Sequence, residues 1–188
     1  MSVHEFHSSD PESEKNRREY HDLLENIKRR MDPGSNTVLI IDDEVGIRRR
    51  VARDIRKMDP GIVVFEAGNG QEGLEQLAAI REQYEKDPLF IVLDLNMPIM
   101  TGWEFIDALK KECDAARRQG PPVIVLSSTT GEKGIPLFRK SVHKGKSGYS
   151  PLVTVAKEVC VDPARYDAFG EKGLVGWIQY FVKSGLQQ

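Results

Sequence analysis

Two apolar runs in this chain end in acid. Asp42 and Asp43 follow directly on Thr37 to Ile41, and Asp94 ends the run Leu89-Phe90-Ile91-Val92-Leu93. A carboxylate at the tip of a buried strand costs free energy to desolvate, so it needs a partner or a task. A third apolar run, Val123 to Leu126, ends in the hydroxyl of Ser127. Each residue alone has an ordinary explanation. Asp42-Asp43-Glu44 could be acids at the start of a helix, favoured there by the helix dipole. Asp94 could cap the turn before Met97-Pro98, and Ser127 could be a satisfied loop hydroxyl. Together, at the ends of successive buried runs, they make a rim of oxygen donors. Mutually repelling carboxylates at such a rim favour a counter-cation, and an all-oxygen donor set selects Mg²⁺ or Mn²⁺ over zinc. Magnesium commonly completes its shell with phosphate oxygens, so the chemistry indicated is phosphoryl transfer.

The elements that would carry these groups alternate along the chain. Thr37 to Ile41, Ile62 to Phe65, Leu89 to Leu93 and Val123 to Leu126 read as short buried strands. Between them, Ile47, Val51, Ile55 and Met58, then Leu74, Leu77, Ala78 and Tyr84, then Trp103, Phe105, Ile106, Leu109 and Cys113 mark helices. This alternation predicts βαβ units and a parallel sheet with helices on both faces. In such sheets ligands bind beyond the carboxyl ends of the strands, where the acids fall. Ahead of the first strand, Tyr20, Leu23, Leu24, Ile27 and Met31 fall on one face of an expected helix near 13–31, closed by Met31-Asp32-Pro33-Gly34. Residues 1 to about 12 are polar and aperiodic and are expected to be disordered.

Residues 37 to 130 resemble the receiver domain of two-component response regulators. The resemblance rests on "VLIIDDE", "DLNMPIMTGWEF" and "PPVIVLSS" taken together. It implies a flavodoxin-like, doubly wound five-stranded parallel sheet in the order 2-1-3-4-5, with helices on both faces, preceded here by the N-terminal helix. It implies that Asp94 is the phosphoacceptor, forming an acyl phosphate at the expense of a phosphohistidine. Asp43 would bind Mg²⁺ directly, Asp42 partly through water, and the backbone carbonyl of Asn96 would supply a further ligand. Ser127 would hydrogen-bond a phosphoryl oxygen, and Ser128 occupies a position that must be small. Glu44 reads as helix N-terminal charge, and Trp103 as helix core.

The resemblance also requires a fifth strand ending in a lysine, and two readings supply it. In the first, Trp177 to Val182 is the strand and Lys183 the lysine, with Tyr180 as the aromatic that reports phosphorylation by turning inward. The gap from Ser127 to Lys183 is then 56 residues, so an insertion of about 132–173 separates strands four and five. In the second, 145–152 is a shortened fifth strand without the lysine. The first is preferred because it provides both strand and charge. Ser184 then stands where the family usually has proline. On this reading residues 1–35 form a tail and helix, and 36–188 the receiver domain. The presumed insertion is basic around Arg139, Lys140, His143, Lys144 and Lys146, a solvated loop or a docking surface for an acidic partner; Asp162-Pro163 suits a helix start. His143 has no second His or Cys at metal spacing.

The net charge of −2 gives no reason to expect nucleic-acid or membrane binding, and two cysteines without a CxxC argue against a disulfide scaffold or zinc site. No apolar run approaches the length of a bilayer span and the N-terminus is not a signal peptide, so a cytoplasmic location is expected. The expectation is a phosphoacceptor switch, not an enzyme, served by a histidine kinase or histidine phosphotransfer protein and acting on an unidentified output partner. A homodimer through the N-terminal helix is a further possibility. The rivals are a degenerate receiver acting as a phospho-independent interaction module, and a phosphohydrolase, for which a general acid near Asp94 has no motif.

Overall fold

The computed structural model describes residues 11–127, 148–149, 152–157 and 174–186. Among these residues five strands, β1 (Thr37–Ile41), β2 (Val63–Ala67), β3 (Phe90–Asp94), β4 (Val123–Ser127) and β5 (Leu152–Ala156), form one sheet in the order β2-β1-β3-β4-β5. Every pairing is parallel, from Thr37 opposite Val63 to Ser127 opposite Ala156. Among the described residues five helices accompany it: α1 (Pro11–Arg30), α2 (Val45–Met58), α3 (Gly70–Tyr84), α4 (Gly102–Ala115) and α5 (Leu174–Leu186). The flavodoxin-like reading, a parallel sheet with helices, is the architecture observed.

The strands are apolar throughout because both faces are covered. Val38, Ile40, Phe90, Val92, Ile124 and Leu126 turn toward α1, α2 and α5, while Leu39, Ile41, Ile91, Leu93, Val123 and Val125 turn toward α3 and α4. Successive strand residues point to opposite faces, so one continuous run feeds two cores. The helices begin where local chemistry permits. Asn69 caps α3 by accepting from the Glu72 amide at 3.0 Å, and Thr101 and Glu104 form a capping box at α4.

The preferred reading of the chain's last third is overturned. Trp177 to Val182 is not a strand but part of α5. Its buried residues Leu174, Trp177, Ile178, Phe181 and Val182 fall at helical spacing, and Val175, Gln179 and Lys183 form the exposed side. The core side of this helix is nearly continuous, so six of its residues imitate a doubly buried strand. The Phe181 ring stacks on Phe90 of β3 at a centroid distance of 5.0 Å. The fifth strand is instead Leu152–Ala156, inside the stretch expected to be an insertion, so neither that insertion nor the alternative strand at 145–152 holds as stated. Tyr149, just before it, is buried and donates its hydroxyl to the Pro121 carbonyl at 2.5 Å, anchoring the sheet's edge. Ser128, the basic residues from Arg139 to Lys146, Asp162 and Pro163 lie outside the described residues, as do the first ten.

The N-terminal helix starts at Pro11, slightly before its expected limit, and lies on its own domain. Leu23, Ile27 and Met31 are buried in the core shared with α2 and α5. The connection that follows is tied to the turn before β3: Asp32 accepts from the Asp87 amide, Lys86 donates to the Pro33 carbonyl, and Ser35 donates to the Asp87 carbonyl at 2.8 Å.

Candidate metal and phosphoryl site

Parallel pairing of β1 with β3 brings their carboxyl ends side by side, with Ile41 opposite Leu93. Asp42 and Asp43 leave β1 at this point and Asp94 ends β3. One oxygen from each of the three carboxylates can be found within 4.8 Å of the others. Asp42 and Asp94 are buried, and Asp43 is exposed. Asn96 lies two residues past Asp94 on the exposed turn and donates its amide to Asp94 Oδ1 at 3.4 Å, a long contact. Ser127 is the last residue of β4, opposite Ala156. The structure thus brings Asp42, Asp43 and Asp94 into one cluster, with Ser127 at the tip of the adjacent strand.

The loop after β1 is tightly held. The Asp42 amide donates to the Ala67 carbonyl, its Oδ1 accepts from the Glu44 amide at 2.8 Å, and its carbonyl accepts from Arg48 Nη1 at 2.7 Å. Arg48 also pairs with Glu66 on β2. The loop after β3 is held from below by Gly102, whose amide donates to the Leu95 carbonyl at 3.0 Å. A Cβ at residue 102 would overlap the Asp94 carbonyl oxygen, so α4 can begin this close to β3 only with glycine there. Gly70, at the start of α3, donates to the Met100 carbonyl and joins a second helix to this loop.

Among the described residues the cation of the site is Lys157, which directly follows β5. Its Nζ lies 2.6 Å from Glu44 Oε1, 3.2 Å from Asp42 Oδ2 and 3.2 Å from Asp94 Oδ2. Burial by itself disfavours the ammonium, but Glu44, Asp42 and Asp94 more than offset this and hold its pKa above the ordinary lysine value. Lys183, the lysine expected here, is exposed in the last turn of α5. Tyr180 is also on α5, where its hydroxyl donates to the Leu24 carbonyl at 3.4 Å and its ring meets Trp177 edge-on. Neither residue lies on a strand. Three positions before Lys157 the chain has Thr154, so the expected aromatic has no counterpart there. The signal for Lys157 was present in "LVTVAK", a β-branched run ending in lysine 30 residues after Ser127. In the sequence reading the strand falls at 177–182 or 145–152, and neither choice includes this run. Glu44 is also recast: it stands at the N-cap of α2, makes no side-chain capping bond, and pairs with Lys157 instead.

The donor set fits a hard divalent cation. Burial pushes the Asp42 carboxyl up to about 6, against the opposing effects of the Glu44 amide and Lys157, with Asp94 adding to the rise. Asp42 Oδ2 is buried and, although Lys157 lies 3.2 Å away, receives no aligned hydrogen bond. A buried carboxylate oxygen in that state beside two further carboxylates suits a cation that prefers oxygen ligands.

Residues 38–148 match the family model described as response regulator receiver domain. A protein-glutamate methylesterase/protein-glutamine glutaminase of Pseudoalteromonas atlantica is 38% identical over 94 residues, which cover 50% of this chain and 21% of that protein. The nitrate/nitrite response regulator protein NarL of Escherichia coli K12 is 35% identical over 114 residues, covering 60% of this chain and 46% of that protein. The chain therefore spans less than half the length of either relative. A two-component response regulator structure from Cytophaga hutchinsonii has the same fold, with a TM-score of 0.50 at 22% identity over 76% of this chain and all of that one.

Proposed function

The chain belongs to the response regulator receiver family, and from that premise we propose that it accepts a phosphoryl group on Asp94 from a phosphohistidine protein. The observation that carries this reading is the convergence of Asp42, Asp43, Asp94 and Lys157 on one rim. An Asp94 carboxylate oxygen forms the new P–O bond while the P–N bond to the donor imidazole breaks. The electron pair leaves with the imidazole nitrogen. Asp42, Asp43, Asp94 and the Asn96 carbonyl would hold Mg²⁺, which supplies positive charge to the phosphoryl oxygens when bound. Lys157 already contacts Asp94 Oδ2 and is placed to offset charge on the incoming group. Ser127, at the tip of β4, is the residue placed to report the change to its own strand.

The protein is read as a switch with a histidine kinase or phosphotransfer protein upstream and an output partner downstream, working in the cytoplasm. Among the described residues no helix is long and apolar enough to cross a membrane. It is a phosphoacceptor, not a turnover enzyme. The phospho-independent alternative, which supposes a fifth strand too altered to switch, is not favoured, because β5 pairs along its length with β4 and is followed by Lys157 at Asp94. Intact mass after incubation with acetyl phosphate and Mg²⁺ tests the proposal. The parent is expected to gain one phosphoryl adduct and Asp94→Asn none; equal adducts on both would remove Asp94 from the role. Rapid continuous release of phosphate would favour the phosphohydrolase instead.

A further inference from the structure

The shortest contact of Lys157 is not with either buried aspartate but with Glu44. Three features make Glu44 different from the acids around it. It lies outside the trio Asp42, Asp43 and Asp94 whose oxygens can close on one ion. Its side chain is 61% exposed while that of Lys157 is 13% exposed, so it anchors the ammonium at the solvent edge of the pocket. It also holds an N-cap position without capping, since the Glu44 amide is bonded to Asp42 Oδ1 and its own carboxylate turns to the lysine. A carboxylate at the exposed rim loses little hydration, unlike the buried carboxylate of Asp42.

Resting on the metal-binding reading above, we propose that Glu44 is a positioning residue that retains Lys157 in the pocket when a divalent cation takes over the aspartates. The ammonium and the cation draw on the same carboxylates, those of Asp42 and Asp94. Like charges cannot share these, so cation binding weakens both aspartate contacts of Lys157. The Glu44 contact lies outside the contested set and survives. Lys157 then stays within reach of Asp94 as the phosphoryl group arrives. Without Glu44 the ammonium is expelled to solvent when the cation binds.

The test compares parent, Glu44→Gln and Glu44→Asp by site-resolved mass spectrometry after limiting acetylation with acetic anhydride, with and without Mg²⁺. Mg²⁺ binding itself is followed separately by calorimetry. In the parent, Mg²⁺ is expected to change Lys157 labelling by less than about twofold. In Glu44→Gln it should raise labelling about tenfold, the worth of one lost charge-assisted hydrogen bond. Glu44→Asp, which keeps the charge on a shorter arm, should fall between them. Equal labelling responses in parent and Glu44→Gln, with Mg²⁺ binding intact in both, would overturn the proposal and leave the metal site standing. Absence of any Mg²⁺ binding in the parent would remove the metal reading, and the retention role with it.

Discussion

At the scale of single residues, the site depends on which lysine supplies the charge. Lys157 touches Asp42, Glu44 and Asp94, while Lys183 lies in the exposed last turn of α5. Lys157→Met is therefore expected to weaken beryllofluoride binding, measured in the presence of Mg²⁺, by tenfold or more (roughly the cost of one charge-assisted contact). Lys183→Met should leave it unchanged within about twofold, as surface changes away from a site usually do. The reverse ranking would restore the first reading of the sequence. The acids were legible from sequence because each follows directly on its own apolar run. Lys157 was not, because its importance arises from the pairing of β4 with β5, two segments 25 residues apart from Ser127 to Leu152. The local signal, the β-branched run before Lys157, is shorter and less apolar than the stretch at 177–182.

At the scale of elements, the helices on the α3–α4 face are clamped at the end remote from the acids. Arg81 of α3 pairs with Asp87 and with Glu112 of α4, each at 2.6 Å, and Arg118 pairs with the same two acids at 2.7 and 2.9 Å. Burial alone would raise the Glu112 carboxyl, but the two guanidinium groups outweigh it and hold its pKa below the usual carboxylate value. A carboxyl depressed in the fold contributes stability above its unfolded pKa and loses it as pH falls through the folded value. Glu112 is 48% exposed, so its contribution is screened. Glu112→Gln is expected to lower the unfolding free energy by about 0.5–1 kcal/mol at pH 7. Urea melts of parent and variant should converge as pH is lowered below the ordinary glutamate range; a constant difference would show that the ion pairs contribute nothing through charge. The element types along 37–127 were legible because each run had one clear period. Residues 174–186 were not, since Trp177, Ile178, Phe181 and Val182 crowd one stripe and Tyr180 fills the gap between them. The helical period shows only when Leu174 is taken with them and the exposed Val175, Gln179 and Lys183, spaced by four, are set on the other side.

At the scale of the whole molecule, the N-terminal helix is part of the receiver's core although it lies ahead of the family match at 38–148. Ile27 is fully buried among residues of this core. Ile27→Ala is expected to cost about 2–4 kcal/mol, the range for truncating a buried aliphatic side chain. Chemical denaturation would measure it, and a loss under about 0.5 kcal/mol would mean that the helix detaches without consequence. Its amphipathic pattern announced a buried face, but the sequence left open whether its own domain or a second copy would cover it. The seat is provided by α2 and α5 together, and α5 had itself been read as a strand.

The close approach of Gly102 to the backbone of Asp94 leaves the root of α4 no slack. Helix α4 is about 21 Å long at 1.5 Å per residue, and its other end is pinned by Arg81 and Arg118. The helix therefore works as a pushrod seated on the aspartate: a backbone displacement at the strand tip must travel down its axis or break the pins. Movement born in a hidden cleft would be legible on the molecule's opposite end.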